Sequence, residues 1–178
     1  MEEVLKNLPA HICALIGFIF LIISTQEKNK NKILIYQSLF YLFFFLQYIL
    51  IGVYSASILC IVSLIRNIIY YFKTNKLSYF IIILVLIIGT ITGIYDINNY
   101  GLIIPFLPLI INLIYTYVLS KNNIKFIKKG FLICSIIWII YNYFIGAYIG
   151  LICNILEMFS YILYFKRLKK WRSCFYYY

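Results

Sequence analysis

Two charged residues stand apart in this 178-residue chain because each lies deep inside a long apolar run: Arg66 within 33–72 and Glu157 within 130–165. A charge at the centre of a bilayer costs roughly 2.5–3.5 kcal/mol even on lenient insertion scales, so each needs a partner or water. Two kinds of chemistry follow. Opposite charges on different helices form a structural ion pair, whereas a lone carboxyl held among apolar groups couples to a proton or to a substrate. Arg66 lies seven residues before Lys73, about 10 Å along a helix, so its guanidinium also has the option of reaching the interface. Glu157 is eleven residues past Gly146 and eight before Phe165, too deep for that escape. The expectation is that Arg66 and Glu157 interact, directly or through one water, with a coupled carboxylate as the second reading.

Six amides also sit in apolar runs: Gln37, Gln47, Asn67, Asn112, Asn142 and Asn154. Asparagine commonly binds membrane helices together through interhelical hydrogen bonds. A pathway role is the alternative, and it sets the candidate polar residues as Arg66, Asn67, Asn112, Asn142, Asn154 and Glu157. Enzyme chemistry has little to work with. The five cysteines form no CxxC pair, and four of them lie in apolar runs, where cysteine behaves as a small hydrophobe. The one histidine, His11, lies near a predicted helix end, where an interfacial role is expected. No metal or cofactor is expected, and no nucleophile stands beside a base.

These residues are carried by elements that belong in lipid. The chain is 65% hydrophobic and 12% charged, about half the charge a soluble domain needs to cover its surface. Its mean hydropathy is +0.95. The net charge of +11 does not mark a nucleic-acid binder, because the lysines fall in short clusters between apolar runs. The start, Met1-Glu2-Glu3, is acidic where a signal peptide is basic, so the first helix is expected to be kept.

A membrane crossing takes roughly 20 residues at 1.5 Å each. Residues 8–25, 77–95 and 102–120 read as single spans, each followed by a polar break at 26–32, 96–101 and 121–129. The runs 33–72 and 130–165 are too long for one crossing. Each folds back at a glycine, Gly52-Val53-Tyr54-Ser55 in the first and Gly146-Ala147-Tyr148-Ile149-Gly150 in the second. The count becomes seven. Alternating the connections then puts 14 of the 16 basic residues on one side; the other side has only Lys6 with Glu2, Glu3 and Asp96. Lysine and arginine mark the cytoplasmic face, so the N-terminus is expected outside and the basic tail inside.

An internal repeat emerges on sliding 45–72 onto 139–166, an offset of 94 that makes seven identities, among them Gly52/Gly146, Tyr54/Tyr148 and Tyr70/Tyr164. In this register Glu157 corresponds to Ser63, one turn from Arg66. Leu8-Pro9 and Leu107-Pro108 look like a further match, if the connection after the first helix is the shorter one. The chain is thus read as all-α, seven helices in a 3+1+3 plan. Residues 8–72 and 102–165 form two three-helix units, 77–95 links them, and 166–178 is the tail. One linking span makes the units parallel.

The string from Gly52 through Ala56 to Arg66-Asn67, then Trp138, Asn142, Gly146 and Tyr164-Phe165-Lys166-Arg167, resembles the YgjV-type bacterial inner-membrane protein family over nearly the whole chain. The 3+1+3 layout is similar to the SWEET, PQ-loop and nicotinamide-riboside transporter group. That likeness implies facilitated movement of a small solute along a path between the units. There are departures: no Pro-Gln dipeptide, prolines in helices 1 and 5 but not in 2 or 6, and only Trp138 and Trp171, so no paired-tryptophan cage. The expected partners are the bilayer, anionic lipid head groups at the tail and an unidentified small solute, with homo-oligomer formation left open. The other reading is a non-transporting scaffold or assembly partner.

Overall fold

The computed structural model describes residues 8–72, 78–121 and 123–175, without the side chains of 55, 78, 79 and 169–175. The expectations resting on Glu2, Glu3, Lys6, Lys73 and Lys76, and on the side chains of Lys169, Lys170, Trp171, Arg172 and Cys174, lie outside the described residues.

Among the described residues seven α-helices follow one another: α1 (Leu8–Gln26), α2 (Lys30–Leu50), α3 (Tyr54–Tyr71), α4 (Ser78–Tyr100), α5 (Leu107–Ser120), α6 (Ile124–Phe144) and α7 (Tyr148–Phe175). A 3₁₀ turn, Ile104–Phe106, leads into α5, and there is no strand among the described residues. Among the described residues four helices, α1, α2, α4 and α7, are long and apolar enough to cross a membrane, while the apolar stretches Ala56–Tyr71 and Ile104–Ser120 are shorter. The principal contacts run α1–α2–α3–α5–α6–α7 and back to α1, closing a ring of six, with α4 packed against α3 and α5.

The ring is apolar outside, and its interior sets polar side chains into an apolar core that includes Phe44, Val62, Ile111 and Phe131. Ile12, Leu15, Ile19 and Ile23 on α1, and Ile133, Ile136 and Ile140 on α6, form exposed stripes at helical spacing. The buried set includes Gln37, Gln47, Ser63, Arg66, Asn67, Asn112, Lys128, Asn142 and Glu157. A soluble bundle turns its apolar stripes inward and keeps such charges on its surface. Helices are the form that allows this in lipid, because each backbone group is satisfied within its own segment.

The connections obey the offset of 94. Helices α2 and α6 span 30–50 and 124–144, α1 and α5 end at 26 and 120, and α3 and α7 begin at 54 and 148. Asn29 and Asn123 occupy the same N-cap position, their Oδ1 atoms accepting from the N–H of Asn31 at 2.9 Å and of Lys125 at 3.0 Å. Both hairpins turn on a glycine in the left-handed region, Gly52 at φ +78° and Gly146 at φ +74°. The Val53 N–H reaches the Tyr48 carbonyl at 2.9 Å, as that of Ala147 reaches Asn142 at 3.0 Å. These paired bonds satisfy carbonyls that a helix end leaves open.

Several boundaries differ from those read in the sequence. The connections after α1 and α5 are equal, 27–29 and 121–123, so Leu8-Pro9 is not the counterpart of Leu107-Pro108. The two asparagine caps start α2 and α6 early, which puts Lys30, Lys32, Lys125, Lys128 and Lys129 on helix rather than in loops. Residues 96–101 are not a break: α4 runs on to Tyr100 and stops at Gly101, φ +77°, whose N–H caps the Ile97 carbonyl at 2.9 Å. The basic tail is not separate from the last span, because α7 continues through it as 28 helical residues.

Candidate functional site

Along α3, Ser63, Arg66, Asn67 and Tyr70 follow an i, i+3, i+4, i+7 spacing that sets them on one face. Asn112, Tyr115 and Thr116 do the same on α5, and the two faces meet. Arg66 is completely buried. Its Nη1 donates to Asn112 Oδ1 at 3.0 Å and its Nη2 to Tyr41 Oη at 3.2 Å, with Asn67 Oδ1 and the Asn112 carbonyl at 3.4 Å. The guanidinium lies 5.6 Å from the Tyr41 ring centre and 5.3 Å from that of Tyr115. Ser63 Oγ also donates to Asn112 Oδ1, and Tyr70 Oη donates to the Thr116 carbonyl at 3.0 Å. Neutral oxygens and ring faces therefore stabilise the charge.

The direct Arg66–Glu157 pair is not formed. The guanidinium donors are directed at Asn67, Asn112 and Tyr41, whereas Glu157 lies on α7, 1% exposed, with no hydrogen-bond partner for its Oε1. The matching faces of α3 and α5 explain this outcome, since α5 packs on α3 and sets Asn112 against Arg66, while α7 packs on α6 and α1.

A second polar group sits near the hairpin turns. Tyr48 Oη donates to Asn142 Oδ1 at 3.0 Å, and the two residues are separated by the repeat offset of 94. The Tyr48 and Trp138 rings stack at 6.2 Å, and Trp138 meets Tyr141 edge-on at 5.4 Å. Gly150 of α7 packs so closely on Asn142 that an added Cβ would stand 3.3 Å from the amide. Asn142 Nδ2, Trp138 Nε1 and Gln47 Oε1 are buried without hydrogen-bond partners. Asn154, another of the candidate polar residues, donates to the Gly150 carbonyl of its own helix at 2.9 Å. The three amides thus have separate partners.

A third group closes the opposite end of α1, α6 and α7. Lys128, fully buried, donates to the Thr25 carbonyl and lies 3.7 Å from the Tyr164 ring centre. Gln26 Nε2 donates to Ser160 Oγ at 2.8 Å and to the Ser160 carbonyl at 3.2 Å. Lys30 approaches Tyr70, the repeat counterpart of Tyr164, at 5.6 Å.

Polar side chains turned inward and isoleucines turned outward describe a membrane protein. A family model described as bacterial inner membrane protein, Imp-YgjV, matches residues 8–172. The chain belongs to the Imp-YgjV family. No curated protein and no solved structure matches it. In this Imp-YgjV chain the candidate residues divide between Arg66, Asn67 and Asn112, which share one network, and Asn142, Asn154 and Glu157, which lie apart from it. The sequence reading missed Tyr41, Ser63 and Tyr115 around Arg66, and Lys128 and Asp96 as buried charges. The three-residue spacing to Arg66 on α3 was the available signal for Ser63; Tyr41 and Tyr115 come from other helices.

Proposed function

We propose that this inner-membrane protein facilitates passage of a small polar solute along a path between two parallel three-helix units, 8–72 and 102–165. The reading rests on one observation: Gln37 Oε1, Gln47 Oε1, Asn67 Nδ2, Trp138 Nε1, Asn142 Nδ2 and Glu157 Oε1 are all buried without hydrogen-bond partners. Each such group costs about 1–3 kcal/mol, and a chain that only needed to pack would replace them with apolar residues. A hydrophilic solute that occupies these positions during a transport cycle satisfies them. The helix order supports the two-unit plan, because exchanging α1 with α5, α2 with α6 and α3 with α7 maps the ring onto itself. The Tyr48–Asn142 contact, between positions equivalent under the offset, is what a two-fold axis between the units would produce.

Purified protein in liposomes is expected to take up at least one small polar solute from a broad labelled panel faster than protein-free vesicles. Asn142→Leu should slow that uptake about tenfold, equivalent to losing roughly 1.4 kcal/mol of interaction along the path. A panel with no uptake above the lipid background would favour a scaffold or assembly partner instead.

The orientation we propose has the N-terminus outside, with the basic end of α7 on the cytoplasmic face against anionic head groups. In a variant lacking the five native cysteines, Asn98→Cys should react with an impermeant maleimide in intact cells. Lys121→Cys should react only after permeabilisation. Both positions are exposed, and Lys121 spares the Asn123 cap. The reverse pattern would invert the topology.

A further inference from the structure

We propose that Glu157 is a proton-binding site, neutral in this closed ring and able to exchange its proton when the path opens. The inference deepens the transport reading by naming a proton as the second species moved. It rests on placement. Glu157 is 1% exposed, its Oε1 has no partner, and the guanidinium that would neutralise it is directed at Asn67, Asn112 and Tyr41.

Among the described residues no other cation takes that place. On α7 itself the nearby ionisable groups are Cys153 and Tyr161, and on α5 and α6 they are Tyr115 and Cys134. Helix α1, the other neighbour of α7, has no ionisable residue between Cys13 and Glu27. Lys128 is directed to the Thr25 carbonyl and the Tyr164 ring, nearly two turns further along α7. Phenols and thiols do not balance a carboxylate. A buried carboxyl with no cation neutralises by keeping its proton rather than bear the desolvation of the ionised form.

The exchange step is simple. The carboxyl O–H bond breaks, its electron pair stays on the Glu157 oxygen, and the proton passes to water entering from the side to which the path opens. The counterpart position in the first unit is Ser63, which donates to Asn112, so the two units are chemically unequal here. One holds a fixed cation at Arg66 and the other an exchangeable proton at Glu157.

Infrared difference spectroscopy on protein in lipid at pH 7 tests this directly. Subtracting Glu157→Gln from the native protein should leave a protonated-carboxyl C=O band that shifts in deuterium oxide. Glu157→Asp should keep the band at a moved frequency, and this variant serves if the glutamine form does not fold. Absence of the protonated band, with or without carboxylate stretches in its place, overturns the proposal. Where solute uptake is found, an inward proton gradient should raise it several-fold in the native protein and leave Glu157→Gln unaffected; native uptake indifferent to the gradient overturns the coupling. An intact band without uptake of any solute ends the transport reading alone, whereas uptake without the band ends the proton site alone.

Discussion

Replacing Arg66 with methionine and Asn112 with leucine should prove strongly non-additive. Each change alone is expected to destabilise the protein by about 3 kcal/mol, because hydrogen bonds to a charged group contribute about 1.5–3 kcal/mol and buried partners are left unpaired. Arg66→Met leaves Tyr41 Oη and the oxygens of Asn67 and Asn112 short of a donor, while Asn112→Leu removes the 3.0 Å acceptor of the guanidinium and the acceptor of Ser63. The double variant should fall short of the sum by about 1–2 kcal/mol, since the second change removes groups that the first had already stranded. Unfolding equilibria in mixed micelles give the four corners of the cycle. The contrasting cycle, Arg66→Met with Glu157→Gln, should add within about 0.5 kcal/mol because the two share no hydrogen-bond partner. Additivity in the first cycle, or a large coupling in the second, would show that the guanidinium has a different partner in the membrane.

The second large effect belongs to the hairpin glycines. Gly52→Val and Gly146→Val should each cost about 2 kcal/mol, with alanine at either position nearer 1, because L side chains strain in the left-handed region and β-branching adds to it. Nothing lies within 4 Å of a Cβ built at either position, so the cost is conformational rather than steric. The two variants should agree within about 0.5 kcal/mol, since the turns share φ, spacing and capping bonds. Gly101, at φ +77° but outside the repeat, supplies a control for the same strain in a different turn. Free tolerance of valine at 52 with collapse at 146 would mean that the turns only look alike.

Much of the architecture was legible because its causes are local or cumulative. Long apolar runs imply lipid, runs too long for one crossing must turn back, and Gly52 and Gly146 are where a chain of L-residues turns most easily. The offset of 94 could be seen in seven identities, and the same offset governs helix starts, caps and turn hydrogen bonds. The helix ends were less legible. Asn29 and Asn123 act as caps only through side-chain geometry, so basic residues assigned to loops became the first turns of helices, and Asp96 stayed within α4 until Gly101 ended it.

Residue types and spacing by themselves determined that this chain is a multi-helix membrane protein with charges of opposite sign, Arg66 and Glu157, deep in two of its apolar runs. Which groups those charges meet was decided only by tertiary structure. Spacing along one helix specifies a face, here the one that Ser63, Arg66, Asn67 and Tyr70 share. It does not say which helix that face adjoins. The ring puts α5 against α3 and sets α7 between α6 and α1, so Asn112 reached Arg66, and Glu157 was left among neutral side chains with an oxygen unpartnered. Pairing is a contact between segments some ninety residues apart, and its outcome follows from how helices close into a ring, which no local pattern encodes.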